Sequence, residues 1–194
     1  MQWLVFSVLV SLTVSWTVAD DDECRPKPGE KHVGVRDCCK LELAPATMEP
    51  AMKKCMEKFP HPKPPSGPPS GPPSKEMKNA HACMGECFFT EENLLTSDKQ
   101  VDKDAVIKYF STASPDLAPL VKKATEECFK SYMADVDPTS ECKSGAEQFK
   151  KCMMRQIFLN CPSASYTSSA DCDAFKAKVE KCPNMPMMMG PPPK

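Results

Sequence analysis

The stretch His81-Ala82-Cys83-Met84-Gly85-Glu86-Cys87-Phe88-Phe89 sets two cysteines four residues apart inside a helical pattern, and its reading decides the fold. Met77, Ala80, Met84, Cys87 and Phe88 recur at helical spacing and share one face. Thiols at i and i+4 lie on that same face, yet regular helix geometry disfavours a bridge between them. Each is therefore expected to reach a different helix, and one helix tied to two others encloses an interior.

On the N-terminal side, Met48, Met52, Cys55, Met56 and Phe59 trace a second helix face, which Thr47 or Met48 can cap and Pro60 ends. From Asp20 to about Pro45 the chain, including the vicinal pair Cys38-Cys39, reads as loop. Residues 60–74, PHPKPPSGPPSGPPS, hold eight prolines and read as an exposed linker biased to polyproline II. On the C-terminal side, Thr90-Glu-Glu-Asn93 breaks the helix and Leu94-Leu95 re-enter the core. Asp102 to Ser111 forms a helix with Val101, Ala105, Val106, Tyr109 and Phe110 inward.

Ser114-Pro115 is an N-cap and first-turn pair opening a longer helix to about Met133, which buries Leu117, Leu120, Val121, Ala124 and Cys128. Thr139 or Ser140 caps the next, carrying Cys142, Ala146, Phe149, Cys152, Met153 and Ile157 until Cys161-Pro162. A last helix from about Ser169 aligns Cys172, Phe175, Val179 and Cys182. No stretch alternates with period two. The expected fold is all-α, with six or seven short helices around a hydrophobic cavity, cross-linked by up to six disulfides.

The chain has 194 residues, the size of one domain with tails. Met1 to Ala19 holds no charged side chain and an apolar run from Trp3 to Trp16, the pattern of a secretory signal peptide cleaved after Ala19 and too short for a spanning helix. Residues 20–182 then form the disulfide-rich domain, with 183–194, PNMPMMMGPPPK, as a Pro/Met-rich tail; its prolines and terminal Lys194 favour disorder over a segment that covers a pocket. After Ala19, Leu, Ile, Val and Phe number only 24, a thin core. Twelve cysteines, an even number behind a signal peptide, imply secretion and a disulfide framework that compensates. Spacing alone leaves on the order of ten thousand pairings open.

A net charge of −1 gives no footprint for nucleic acid and no polybasic patch for a membrane surface. His81-x-Cys83-x3-Cys87 lacks the second tight pair of a structural zinc site, so no metal is expected. Cys38-Cys39-Lys40-Leu41 lacks the His-Asp that follows the cysteine pair in secreted phospholipases A2, and no G-x-S-x-G, H-E-x-x-H or P-loop occurs. Neither an enzyme nor a cofactor is expected.

The ordered series Cys55-x27-Cys83-x3-Cys87-x40-Cys128-x13-Cys142-x9-Cys152 resembles the insect odorant-binding proteins. The upstream Cys38-Cys39 pair, the Cys161-Pro162 that follows after x8, and the later Cys172 and Cys182 are similar to the Plus-C class. The proline-rich stretch between Cys55 and Cys83 departs from the pattern where six-cysteine members carry a second helix. The resemblance implies bridges Cys55–Cys87, Cys83–Cys142 and Cys128–Cys152, with Cys24, Cys38, Cys39, Cys161, Cys172 and Cys182 supplying three more. Strain argues against a bond between adjacent Cys38 and Cys39, so these six are expected to tie the N-terminal arm to the C-terminal helix in pairings left open.

The resemblance further implies a carrier of small hydrophobic molecules such as odorants, released near a chemosensory receptor. Flexible thioethers and aromatic faces suit such a pocket, and the candidate lining is Met84, Phe88, Leu95, Tyr109, Phe110, Leu120, Val121, Ala124, Tyr132, Met153 and Ile157. Tyr109 and Tyr132 could offer hydroxyls to a ligand oxygen. His81, the histidine beside core helix positions, is the candidate for release on acidification. The thin core also leaves apolar helix faces that a second copy could cover in a homodimer. A secreted cysteine-rich interaction protein, its disulfides rigidifying a surface instead of enclosing a cavity, is the rival reading.

Overall fold

The computed structural model describes residue 24, residues 33–41, 45–60 and 74–183, and residues 185 and 187. The expected signal peptide, the proline-rich linker from residue 61 to 73 and the last residues of the tail lie outside these. The chain divides into a unit of residues 1–31, of which Cys24 is described and is disulfide-bonded, and a unit of residues 32–194 that holds the helices.

Seven α-helices form among the described residues: α1 (Val35–Cys38), α2 (Met48–Lys58), α3 (Lys75–Glu91), α4 (Lys103–Ala113), α5 (Ala118–Cys128), α6 (Ala146–Leu159) and α7 (Ala170–Lys181). Among the described residues extended pairing is limited to two isolated bridges outside the helices, Cys39 with Tyr166 and Leu95 with Val101. No described helix is long and apolar enough to cross a membrane. The fold is all-α.

Local chemistry explains most boundaries. Ser74 Oγ accepts from Met77 N at the start of α3, Asp102 Oδ1 accepts from Asp104 N and Ala105 N at the start of α4, and Ser169 Oγ accepts from Cys172 N at the start of α7. Each removes an orphan amide from a first turn. The break after α3 is made by Asn93, whose φ of 55° is left-handed and turns Leu94 into the core.

Four expectations are corrected. The segment before Pro45 contains α1, because the Asp37 carboxylate accepts from Gly34 N at 2.8 Å and closes a short turn. Thr47 stands at the N-cap of α2 without capping it; its backbone is already helical and its hydroxyl donates to Glu92 instead. The helix opened by Ser114-Pro115 does not run to Met133: a 3-10 turn over Pro115–Leu117 precedes α5, and after Cys128 the chain tightens to i→i+3 bonds and a second 3-10 turn at Tyr132–Asp135. Cys142 is not helical, and α6 begins only after Gly145.

The loop before α6 is held by α3 along one face. Asn79 Oδ1 accepts from Ser140 Oγ and Glu141 N, Cys83 is bonded to Cys142, and Glu86 Oε2 accepts from Ser144 N. These side chains supply the partners that helical backbone would otherwise provide. Gly145 then turns at φ 71°, where a Cβ would stand 2.8 Å from the Tyr132 ring. Gly85, midway between the paired cysteines of α3, abuts α6 so closely that a Cβ would stand 3.0 Å from Glu147 Cβ and N.

Two apolar clusters result. The larger joins α2 through α6 around Phe89, Phe149, Val106 and Val121. The smaller gathers Cys38, Cys39, Phe158, Cys172 and Val179 beneath Phe175 and Tyr166. Met185 and Met187 pack against this smaller cluster, so the expectation of a disordered tail does not hold for them.

Candidate functional site

The bridges fix which helices can wall an interior. Cys55–Cys87 ties α2 to α3, Cys83–Cys142 ties α3 to the loop before α6, and Cys128–Cys152 ties α5 to α6. Cys83 and Cys87 thus leave α3 in two directions, although Cys83 reaches a loop and not a helix. Cys38–Cys172 and Cys39–Cys161 lock the smaller cluster, and with Cys24 and Cys182 also oxidised no free thiol remains.

All eleven candidate pocket residues meet in the larger cluster. Met84, Phe88, Val121, Ala124, Tyr132, Met153 and Ile157 are buried there, and Leu95, Tyr109, Phe110 and Leu120 pack against it half-buried. The aromatic members interlock edge to face. Phe129, Tyr132 and Phe149 form a triangle with centroids 5.3–5.5 Å apart, and Phe88 meets Tyr109 at 6.5 Å.

Two hydroxyls among the candidates are held differently. Tyr132 lies inside, bonded to the backbone of Val101, and burial raises its pKa. Tyr109 spans the boundary. Its ring meets Phe110 edge to face at 5.0 Å, its hydroxyl lies 3.5 Å from Thr47 Oγ1, and burial pushes its pKa up to about 12.

Beyond Thr47 opens a surface cleft of about 440 Å³ lined by Thr47, Pro50, Ala51 and Lys54 of the α2 region and by Glu91, Glu92 and Asn93 at the end of α3. Lys54 pairs with Glu91 at 2.6 Å, and Thr47 donates to Glu92 at 2.8 Å. None of the eleven candidates lines it. Polar side chains with no motif around them give the sequence no signal for this cleft.

Sequence reading also missed Thr125. It sits on α5 wholly buried, and its hydroxyl donates to Met153 Sδ at 3.5 Å. Its place one turn after Val121 and one before Cys128 is the available signal, since i−4 and i+3 share a helix face. His81 lies on α3, half-buried. Among the described residues no group of acidic, histidine or cysteine side chains is arranged to hold a metal.

The chain is similar to known proteins over about half its length. General odorant-binding protein 68 of Anopheles gambiae is 30% identical over 112 residues, covering 50% of this chain and 52% of its own. Odorant-binding protein 47 of the same mosquito is 28% identical over 120 residues, covering 52% and 51%. The chain spans about half the length of the curated relatives it matches. The PBP/GOBP family matches residues 40–156, a range that takes in α2 to most of α6 and every buried residue of the larger cluster except Ile157. By that match over more than half its length, the chain belongs to the PBP/GOBP family.

Proposed function

We propose that this protein is a secreted carrier of small hydrophobic molecules such as odorants, acting by non-covalent burial within the α2–α6 cluster. One observation carries the reading: eleven residues from α3, α4, α5, α6 and the intervening turns, rich in methionine and aromatic rings, converge in one disulfide-framed interior. The relatives, all odorant-binding proteins by name, agree with it. A ligand entering must displace flexible side chains, and Met84 and Met153 are the adaptable ones. At roughly 25 cal/mol per Å², about 330 Å² of buried apolar area balances micromolar binding before ordering costs. Specificity is then broad.

The finer assignment is Plus-C. Its support is the smaller cluster with Cys38–Cys172 and Cys39–Cys161, whose buried residues and bridges lie outside the family match. Residues 1–19 then serve as the cleaved signal peptide, 20–182 as the binding domain with residues 60–74 an exposed linker, and 183–194 as the tail. Ligand is handed over near a chemosensory receptor.

The test is fluorescence titration of the fully oxidised protein, residues 20–194, with a polarity-sensitive naphthylamine dye; both tryptophans fall before Ala19, so intrinsic quenching is a poor probe. Saturable binding at about one site, reversed by small apolar volatiles, is expected. Absence of saturable binding by folded protein would favour an interaction module with a filled core.

A further inference from the structure

Thr125 presents a buried hydroxyl with a poor partner. Its residue is 0% exposed, on the face of α5 that also carries Val121 and Cys128, and its hydrogen bond runs 3.5 Å to the thioether of Met153 on α6. A thioether sulfur is a weak acceptor. Buried hydroxyls are ordinarily satisfied by oxygen, and leaving one short of a good acceptor is unfavourable. The acceptor it does have belongs to a flexible side chain that the carrier reading already moves aside. Val121, Ala124 and Met153 belong to the same apolar cluster, in which the buried Tyr132 has its hydroxyl already bonded to the Val101 backbone.

We infer that Thr125 is the polar anchor of the interior site, and that it selects apolar molecules bearing a hydrogen-bond acceptor oxygen, such as ketones, esters and aldehydes, over hydrocarbons of the same size. The inference rests on the carrier reading above and names its ligand class. On binding, the ligand oxygen takes the place of Met153 Sδ and accepts from Thr125 Oγ1, exchanging a weak bond for an ordinary one. No such exchange is open to an alkene. Sites that hydrogen-bond a ligand discriminate against analogues lacking the group, because the protein's own polar atom is then left short.

Thr125→Val keeps the shape and removes the hydroxyl. Competition against the naphthylamine dye by a straight-chain ketone and by the alkene of equal chain length reads the preference in full-length oxidised wild type, Thr125→Val and Thr125→Ser. Wild type is expected to favour the ketone about fivefold, the scale of one neutral hydrogen bond. Thr125→Val should abolish the preference, with ketone and alkene competing equally, and Thr125→Ser should retain it. Thermal stability of ligand-free Thr125→Val should equal or exceed wild type, which a purely structural role for the hydroxyl would not give. Should Thr125→Val fail to fold, Met153→Leu keeps the hydroxyl without its sulfur partner and is expected to raise the ketone preference. Equal binding of ketone and alkene by wild type, or a preference that survives in Thr125→Val, overturns the assignment while leaving the carrier standing. Failure of wild type to bind dye, ketone and alkene alike overturns the carrier and the anchor together.

Discussion

Gly145 combines two constraints at one residue. Its φ of 71° is a conformation in which a side chain is strained, and a Cβ there would stand 2.8 Å from two carbons of the Tyr132 ring and 2.9 Å from Met133 Sδ. Gly145→Ala should cost about 1–3 kcal/mol in reversible denaturant unfolding, since strain and overpacking act together. Tyr109 makes a second residue-scale prediction, through pH. Burial is the largest influence on its phenol and favours the neutral form; the bond from Thr47 opposes it, and the neighbouring Glu92 adds a weaker push in the direction of burial. With the folded pKa near 12 and an unfolded value of about 10, its contribution to stability is intact below pH 10 and falls as pH rises toward 12. Absorbance titration of the folded protein should show phenolate appearing later than in the reduced, unfolded chain, and Tyr109→Phe should remove the latest component. Neither residue was conspicuous in the sequence as a structural determinant. Gly145 follows a plausible cap at Ser140, and the competing partners offered by Asn79 and Glu86 lie some sixty residues away.

At the scale of elements, the stop at Pro60 and the starts near Asp102 and Ser169 were legible because their chemistry is local: proline cannot continue a helix, and Asp102 and Ser169 each bond an amide two or three residues on. The expected caps were not: Thr47 and Ser114 make no side-chain cap bond, and the helix read from Thr139 or Ser140 has Gly145 at its N-cap. What was not legible came from contacts distant in sequence. The chain after Cys128 contains no glycine or proline before Asp137-Pro138, so periodicity extends α5, whereas packing of Phe129 and Tyr132 against Phe149 ends it. Arg155 is another such contact. From α6 its guanidinium donates to the carbonyls of Cys182 at 2.9 Å and of Val179, closing the end of α7 where the carbonyls lack helical partners. Arg155→Met is expected to lower stability by about 1–3 kcal/mol. Amide exchange should quicken in α7 and leave α3 to α5 protected; uniform acceleration would mean that α7 is not held separately.

Across the whole molecule, the two clusters define two stabilities. The larger has its own three bridges within residues 55–152, and the smaller depends on Cys38–Cys172 and Cys39–Cys161 to join segments more than a hundred residues apart. Replacing Cys38 and Cys172 together by alanine should cost about 2–5 kcal/mol, with dye affinity within about threefold of wild type because the interior site is framed elsewhere; loss of binding in a folded variant would place the site across both clusters. The all-helical class and the elements that wall the interior were readable from apolar periodicity and cysteine placement. Pairing was not, because spacing restricts partners weakly and three-dimensional approach decides them. Nor was the cleft beside Thr47 and Glu92, whose residues meet only once α2 has packed on α3.

Entry of a ligand into the α2–α6 interior is tested by position with methionine methyl resonances. Met84 and Met153 are buried in that cluster, whereas Met56 and Met133 are 47% and 42% exposed. With the methyls isotopically labelled and the naphthylamine dye titrated in, the Met84 and Met153 signals should move saturably together while Met56 and Met133 stay in place. Shifts confined to Met56 and Met133, or none at saturating dye, would contradict an interior site.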